Sequence, residues 1–215
     1  PLVQTWRIGF DDAKVPSDEE VKQVLKNIDL DQVLLKNNMV YLKSAGMAID
    51  LGALAKGYIA DRIIDYLKSV NTQSALINLG GNLVTMGPAL HNPDQKWRIG
   101  VQNPIKSRGN SQLVLNIQNK SVVTSGIYER SLSKDGKTFH HILDSKTGYP
   151  IETDVASLTI VSDLSIDGEI WTTRLFGKPV SFILNEVSSL EGIEAVVINN
   201  RGEVFYTKGI EKFIG

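Results

Sequence analysis

Along this chain the apolar positions fall into short blocks whose spacing switches between the helical and the extended repeat. Val21, Val24, Leu25 and Ile28 recur at helical spacing behind Pro16-Ser17-Asp18-Glu19-Glu20. There Ser17 serves as cap and Glu20, three residues on, completes a capping box, so a short amphipathic helix is expected. Residues 33–35 and 39–42 flank Asn37-Asn38 and read as a hairpin. From Ile49-Asp50-Leu51-Gly52 the chain runs into a helix reaching about Val70. Ala55, Ile59, Ile63, Tyr66 and Val70 make its expected buried face. Residues 75–79 form an apolar strand that ends at Gly80-Gly81-Asn82, and residues 97–101, 112–117 and 121–124 read as further strands. The β-branched run 155–161 is another. Two helices, over about 167–176 and 180–188, come next. A strand at 195–198, an Asn-Arg-Gly turn and a last strand from Val204 close the chain as a hairpin, in which the stretch 193–215 offers no chemistry. No repeat, low-complexity tract or linker interrupts the pattern. The fold class is α+β, with mixed sheets, packed helices and room for two lobes.

Composition narrows the function classes. The chain has 215 residues, 42% hydrophobic and 22% charged, with a net charge of −1, ordinary values for a globular protein with an ample core. No basic stripe points to nucleic acid. The longest apolar runs fall short of the roughly 18 residues a membrane span requires. With no cysteine, disulfides, thiolate nucleophiles, zinc–thiolate sites and iron–sulfur clusters are excluded. That absence fits an oxidising compartment without demanding one. The first residue is Pro1 rather than methionine, so an internal start is expected, with any leader or lipid anchor lying upstream.

Five segments carry candidate chemistry. His140-His141-Ile142-Leu143-Asp144-Ser145-Lys146-Thr147-Gly148-Tyr149-Pro150 holds two of the three histidines. An imidazole takes and returns protons near neutrality, and a carboxylate three residues on can orient a ring or hold a cation. The plainer alternative is a strand ending in a polar turn. Asp50-Leu51-Gly52-Ala53-Leu54-Ala55-Lys56-Gly57 brings small residues and a lysine to a helix start, an arrangement suited to a phosphate or simply to a tight helix entry. Leu79-Gly80-Gly81-Asn82 is a strand-end turn open to a ligand's approach. Thr124-Ser125-Gly126-Ile127-Tyr128-Glu129-Arg130 puts hydroxyls, a glycine and an acid–base pair after a strand, either a ligand loop or a surface salt bridge. Glu169 and Thr173, four apart, share a helix face. A carboxylate with a hydroxyl and no soft donor suits Mg²⁺ or Ca²⁺; Glu169 also reads as an ordinary first-turn acid.

Taken together and in this order, these segments resemble the ApbE family of flavin transferases, which move FMN from FAD to proteins. The matching residues are 50–61, Gly80-Gly81-Asn82, Thr124-Ser125-Gly126 with Tyr128-Glu129-Arg130, 141–150, and Glu169 with Thr173. The resemblance covers essentially the whole chain and implies a T-fold-related architecture. It implies that a Thr or Ser hydroxyl of an acceptor flavoprotein attacks the FMN phosphorus of FAD, with release of AMP and dependence on Mg²⁺. It assigns His141 as general base and Lys56 as the charge facing the diphosphate. Asp61, Gly80, Gly81, Ser125, Gly126, Glu129 and Asp144 become contacts or orienting groups for the flavin nucleotide. The Ala55 carbonyl, Glu169 and Thr173 become the metal site. The same site with water as nucleophile would make an FAD pyrophosphatase; a pocket without catalysis would make a flavin-binding lipoprotein.

The chain departs from the family pattern in three places. Ser145 stands where the family has proline, which changes turn stiffness more than chemistry. Glu169 stands where the family has aspartate; Asp167, six residues before Thr173 and roughly 60° out of register on a helix, is the alternative ligand. Residues 1–215 read as the catalytic domain without the family's N-terminal portion, which holds part of the flavin pocket. By the same resemblance the enzyme is expected outside the cytoplasm, tethered to the outer face of the cell membrane through an N-terminal lipid anchor. It would act on flavoproteins of electron-transfer systems, with no nucleic-acid partner.

Overall fold

The computed structural model describes residues 1–215. In chain order the elements are α1 (Leu2–Trp6), α2 (Asp18–Leu25), β1 (Val33–Lys36), β2 (Met39–Leu42), α3 (Gly52–Ser69), β3 (Ala75–Asn78), β4 (Asn82–Met86), β5 (Trp97–Gln102), β6 (Ser111–Ile117) and β7 (Ser121–Gly126). They continue with β8 (Ser131–Lys134), β9 (Lys137–His140), β10 (Val155–Ser162), α4 (Ser165–Leu175), α5 (Val180–Ser188), β11 (Glu194–Asn199) and β12 (Val204–Tyr206). The chain divides into two compact units. One joins Pro1–Asp50 to Ile127–Glu152, and the other joins Leu51–Gly126 to Thr153–Gly215. No helix is long and apolar enough to cross a membrane.

In the first unit the expected capping box is present at α2. The Ser17 backbone N–H donates to Glu20 at 2.8 Å, and the Glu20 N–H donates to the Ser17 hydroxyl at 3.2 Å. The β1–β2 hairpin turns through Asn37 and Asn38, both at positive φ (51° and 58°). Asparagine tolerates that region, and two such residues give a turn whose twist matches the flanking strands. A small core gathers around Trp6, which is fully buried. Leu2 and Ile8 join it, with Phe139, Leu143 and Tyr149 packed alongside. Fully burying side chains of this kind contributes about 1.5–3 kcal/mol each.

Two elements here differ from the pattern reading. The helix α1 is only five residues long, too short to show a repeat. The β8–β9 hairpin is nearly all polar and exposed, so alternation fails there. Its turn, Asp135-Gly136, has both residues at positive φ (51° and 75°), a strong local hairpin signal, although the strands it joins carry little apolar residue.

The second unit is a six-stranded sheet in the order β12-β11-β10-β7-β4-β3, antiparallel at every pairing. Every residue of β10 is buried, because both faces of the sheet are covered. On one face the β5–β6 hairpin sets Ile99, Val101, Leu115 and Ile117 against Val122, Val161, Val196 and Ile198. On the other, Ala60 and Ile64 of α3 pack on Val84 and Met86. There, too, α4 comes so close to β7 that a Cβ on Gly168 would lie 2.5 Å from the Val123 side chain.

The buried face of α3 corrects the sequence reading. Its stripe is Gly57, Ala60, Asp61 and Ile64, whereas Ile59, Tyr66 and Val70 stand exposed. The true stripe includes a glycine and an aspartate, which a hydrophobic-period reading discounts. Strand β4 is a further element beyond the apolar pattern, because Asn82 and Thr85 break its run; both are buried. Helix α4 begins at Ser165, two residues before the expected start, for a reason that lies in Asp61.

Candidate functional site

Leu164, at the N-cap position of α4, makes no side-chain capping bond. The cap comes instead from α3. One carboxylate oxygen of Asp61 accepts from the Ser165 N–H at 2.8 Å, the other from the Ile166 N–H at 3.0 Å. An anion at a helix N-terminus satisfies otherwise orphaned donors and complements the dipole. Asp61, for which the resemblance implies a nucleotide contact, thus has both oxygens bonded to the start of α4. It is 8% exposed.

The two helices touch at Gly57. A Cβ there would lie 2.7 Å from the Ser165 carbonyl oxygen and 2.8 Å from Cγ of Glu169. A mid-helix glycine costs about 1 kcal/mol relative to alanine; here it is what lets α3 approach α4. The preceding residue, Lys56, is brought within 3.7 Å of Glu169 Oε1. Its side chain remains 40% exposed while that of Glu169 is 5% exposed. On the other side, Asn82 opens β4 and pairs with Val123 in the neighbouring strand. Its Nδ2 donates to Glu169 Oε1 at 2.9 Å, and its Oδ1 accepts from the Ser165 hydroxyl at 2.7 Å.

Glu169 is therefore a nearly buried carboxylate with one hydrogen-bond donor and one paired cation at the same oxygen. A buried carboxylate is tolerated when paired and hydrogen-bonded in this way. Thr173 lies one helical turn further along α4 and is exposed. Ala55 sits within α3, where its carbonyl belongs to the helical ladder yet keeps a second lone pair. No group of three or more His, Cys, Asp or Glu residues capable of holding a metal exists in the chain. Mg²⁺ does not require such a cage, since it is commonly held by one or two carboxylates, waters and substrate phosphates. One carboxylate, one hydroxyl and one carbonyl fit that role and do not fit zinc.

The alternative ligand, Asp167, lies in the first turn of α4. Burial, and then the neighbouring charges of Asp61 and Asp163, push its carboxyl pKa above the usual value. It shares surroundings with acids rather than with Lys56 and Asn82. Gly80 and Gly81 form the turn between β3 and β4, at φ 61° and 92°. The Gly81 N–H donates to Asn78 Oδ1 at 3.3 Å. Ser125 and Gly126 end β7. By strand alternation Ser125 shares a sheet face with Val123, and hence with α4.

The remaining candidates belong to the first unit. His140 ends β9 and is held by the main chain of the following turn. Its Nε2 lies 2.9 Å from the Ile151 carbonyl, and its Nδ1 accepts from the Ile142 N–H at 3.3 Å. Burial lowers its pKa. Its ring is half-buried and bonded at both nitrogens, so it is built into the turn rather than displayed on the surface. His141 is held differently: its Nδ1 lies 3.2 Å from the Arg130 carbonyl oxygen, which also accepts the His141 backbone N–H at 3.2 Å. A carbonyl can only accept, so Nδ1 carries the proton and Nε2 is the basic nitrogen of the neutral ring. Asp144 makes the following turn: its Oδ1 accepts from the Lys146 N–H at 2.7 Å, and its carbonyl accepts from Gly148 at 2.8 Å. Glu129 is exposed just before β8.

Asn82 and Ser165 are the residues that sequence reasoning left without a role, although Asn82 stood inside a recognised motif. The available signal was a polar residue opening a strand directly after the Gly80-Gly81 turn.

Comparison with known proteins gives the family and the fold. The model of the ApbE family matches residues 1–197. A protein of Klebsiella pneumoniae named FAD:protein FMN transferase is 41% identical over 95% of this chain and 63% of its own length. A protein of the same name from Treponema pallidum is 38% identical over 81% of this chain and 52% of its own. The chain thus spans between half and two thirds of these relatives. Among solved structures, the ApbE protein of Thermotoga maritima superposes with a TM-score of 0.87 at 28% identity, covering all of this chain and 70% of that one. The mixed α+β architecture expected from the pattern is the architecture of these neighbours, and the chain belongs to the ApbE family.

Proposed function

We propose that this chain carries the reaction for which its relatives are named, transfer of FMN from FAD to a protein. An acceptor Thr or Ser hydroxyl oxygen bonds to the FMN phosphorus, the bond from that phosphorus to the bridging oxygen breaks, and AMP leaves with that oxygen. The hydroxyl proton passes to Nε2 of His141, whose tautomer the Arg130 carbonyl sets. Lys56 offsets charge on the diphosphate. Glu169, Thr173 and the Ala55 carbonyl would hold Mg²⁺, which would supply charge neutralisation for the transferring group. Asp61 contributes by seating α4, and with it Glu169 and Thr173. Reactions of this class need positioning and charge neutralisation more than covalent help from protein.

The observation that carries the proposal is the Glu169 carboxylate, kept nearly buried beside Lys56 and Asn82 on the helix face it shares with Thr173. Incubating the protein with FAD, Mg²⁺ and an acceptor flavoprotein tests it by mass spectrometry. An acceptor heavier by one FMN less water, with AMP released, is expected. Free FMN plus AMP with an unmodified acceptor would identify a pyrophosphatase instead, and intact FAD would leave a binding protein. His141→Ala should abolish transfer while FAD binding survives; loss of both together would make this histidine structural.

A further inference from the structure

We infer that Asn82 is a positioning residue for the cation site: it turns the Glu169 carboxylate so that one oxygen is held inside the protein and the other is presented to the metal. This rests on the proposed Mg²⁺ role of Glu169. The orientation of the Asn82 amide follows from its two neighbours. A carboxylate only accepts, so the NH₂ must face Glu169, to which it donates at 2.9 Å; the amide oxygen then faces the Ser165 hydroxyl, which donates at 2.7 Å. The Asn82 hydrogen bond and the Lys56 ion pair are both made to Oε1, and no hydrogen bond within the protein is made to Oε2. The amide is itself fully buried and anchored at the start of β4 beside Val123. Its position is therefore set by the sheet, and Glu169 inherits that position across the α4–β4 contact.

Groups that bond a metal-ligating carboxylate from behind fix its orientation, and removing them costs about 10–100-fold in metal affinity. Without the amide, Glu169 keeps only a half-exposed lysine at 3.7 Å, which constrains direction poorly.

The test uses Mn²⁺ as the probe ion in the presence of FAD, following loss of the free-ion EPR signal, with FAD alone as blank. Asn82→Leu keeps the volume and removes both bonds; Mn²⁺ affinity should fall about tenfold or more. Ser165→Ala breaks the other end of the same amide and leaves the bond to Glu169 in place; its Mn²⁺ affinity should stay within about threefold of the parent. Thermal unfolding of the two variants separates positioning from folding, because both lose a buried hydrogen bond but only one loses the metal. Glu169→Gln must lose Mn²⁺ binding as well. If Asn82→Leu binds Mn²⁺ like the parent while Glu169→Gln does not, the role of Asn82 is overturned and that of Glu169 stands. If the parent binds no Mn²⁺ beyond the blank, the cation reading fails and the role of Asn82 falls with it.

Discussion

The contact of α3 with α4 and the segment from His140 to Pro150 are both polar, and both carry candidate chemistry, but they are held in opposite ways. The first is held by side chains. Asp61 caps α4, Asn82 bridges Ser165 and Glu169, and Gly57 is the gap that lets them meet. The second is held by the main chain. His141 rests on the Arg130 carbonyl, Ile151 N–H donates to the Ile142 carbonyl, and the Asp144 and Tyr149 main chains close the turn. Beneath that turn lies one large side chain, Trp6, whose indole N–H donates to the Gly148 carbonyl at 2.8 Å. A side-chain network loses the particular bonds of whichever member is replaced. A main-chain turn tolerates replacement along its length and fails when its support is removed.

The largest effect should therefore come from Trp6→Ala. The residue is fully buried, its ring centroid lies 5.5 Å from that of Phe139 and 5.8 Å from that of Tyr149, and removing such a side chain costs about 3–5 kcal/mol. Urea unfolding should show that loss, and the imidazole NMR signals of His140 and His141 should move with it. A loss below about 1 kcal/mol would mean that the turn supports itself.

Gly57→Ala should come next. Helix propensity alone would stabilise the variant by about 1 kcal/mol. The added carbon meets backbone atoms of Ser165 and Ile166 at 2.7 and 2.8 Å, which cannot swing aside as a flexible side chain would. Overpacking of this kind costs about 1–3 kcal/mol, so urea denaturation should show net destabilisation. A more stable variant would show that α4 can withdraw, and the sharp contrast between the two regions would dissolve.

Asp61→Ala should cost about 1 kcal/mol, the usual worth of a cap, and fray the start of α4. Amide exchange at Ser165 and Ile166 should accelerate while exchange in β10 stays slow. Equal acceleration in both would show that the carboxylate supports the sheet rather than the helix start.

The same contrast explains what could be read from sequence. The α2 capping box, the Asn37-Asn38 turn and the β-branched run of β10 are local signals, each complete within about ten residues, and each was legible. The α3–α4 contact was half legible. Glu169 and Thr173 share a face by spacing alone, but the bond from Asn82 to Glu169 spans 87 residues, and that from Asp61 to Ser165 spans 104. No periodicity reports on such pairs. The small residues that mark them, Gly57 and Gly168, lower a helix score rather than raise it. His140 and His141 are adjacent and alike in sequence; only the carbonyls of Ile151 and Arg130 tell them apart.

That distinction gives the smallest and most specific prediction. Burial lowers the His140 pKa from its ordinary 6.5, outweighing the bond to Ile151, which acts the other way. The neutral ring accepts from the Ile142 N–H, and a proton on Nδ1 would set two donors face to face. A histidine depressed in this way contributes stability that is fully present above the unfolded value of 6.5. That stability is lost as pH falls through the lower folded value. His140→Gln keeps a donor for the Ile151 carbonyl and cannot titrate. Melting temperatures measured from about pH 8 to about pH 5 should fall more steeply for the parent than for the variant, and the two curves should run parallel above neutrality. If the parent instead gains on the variant toward acid, the ring is charged in the fold. The two histidines would then differ in the pairing of a cation, not in the tautomer their carbonyls select.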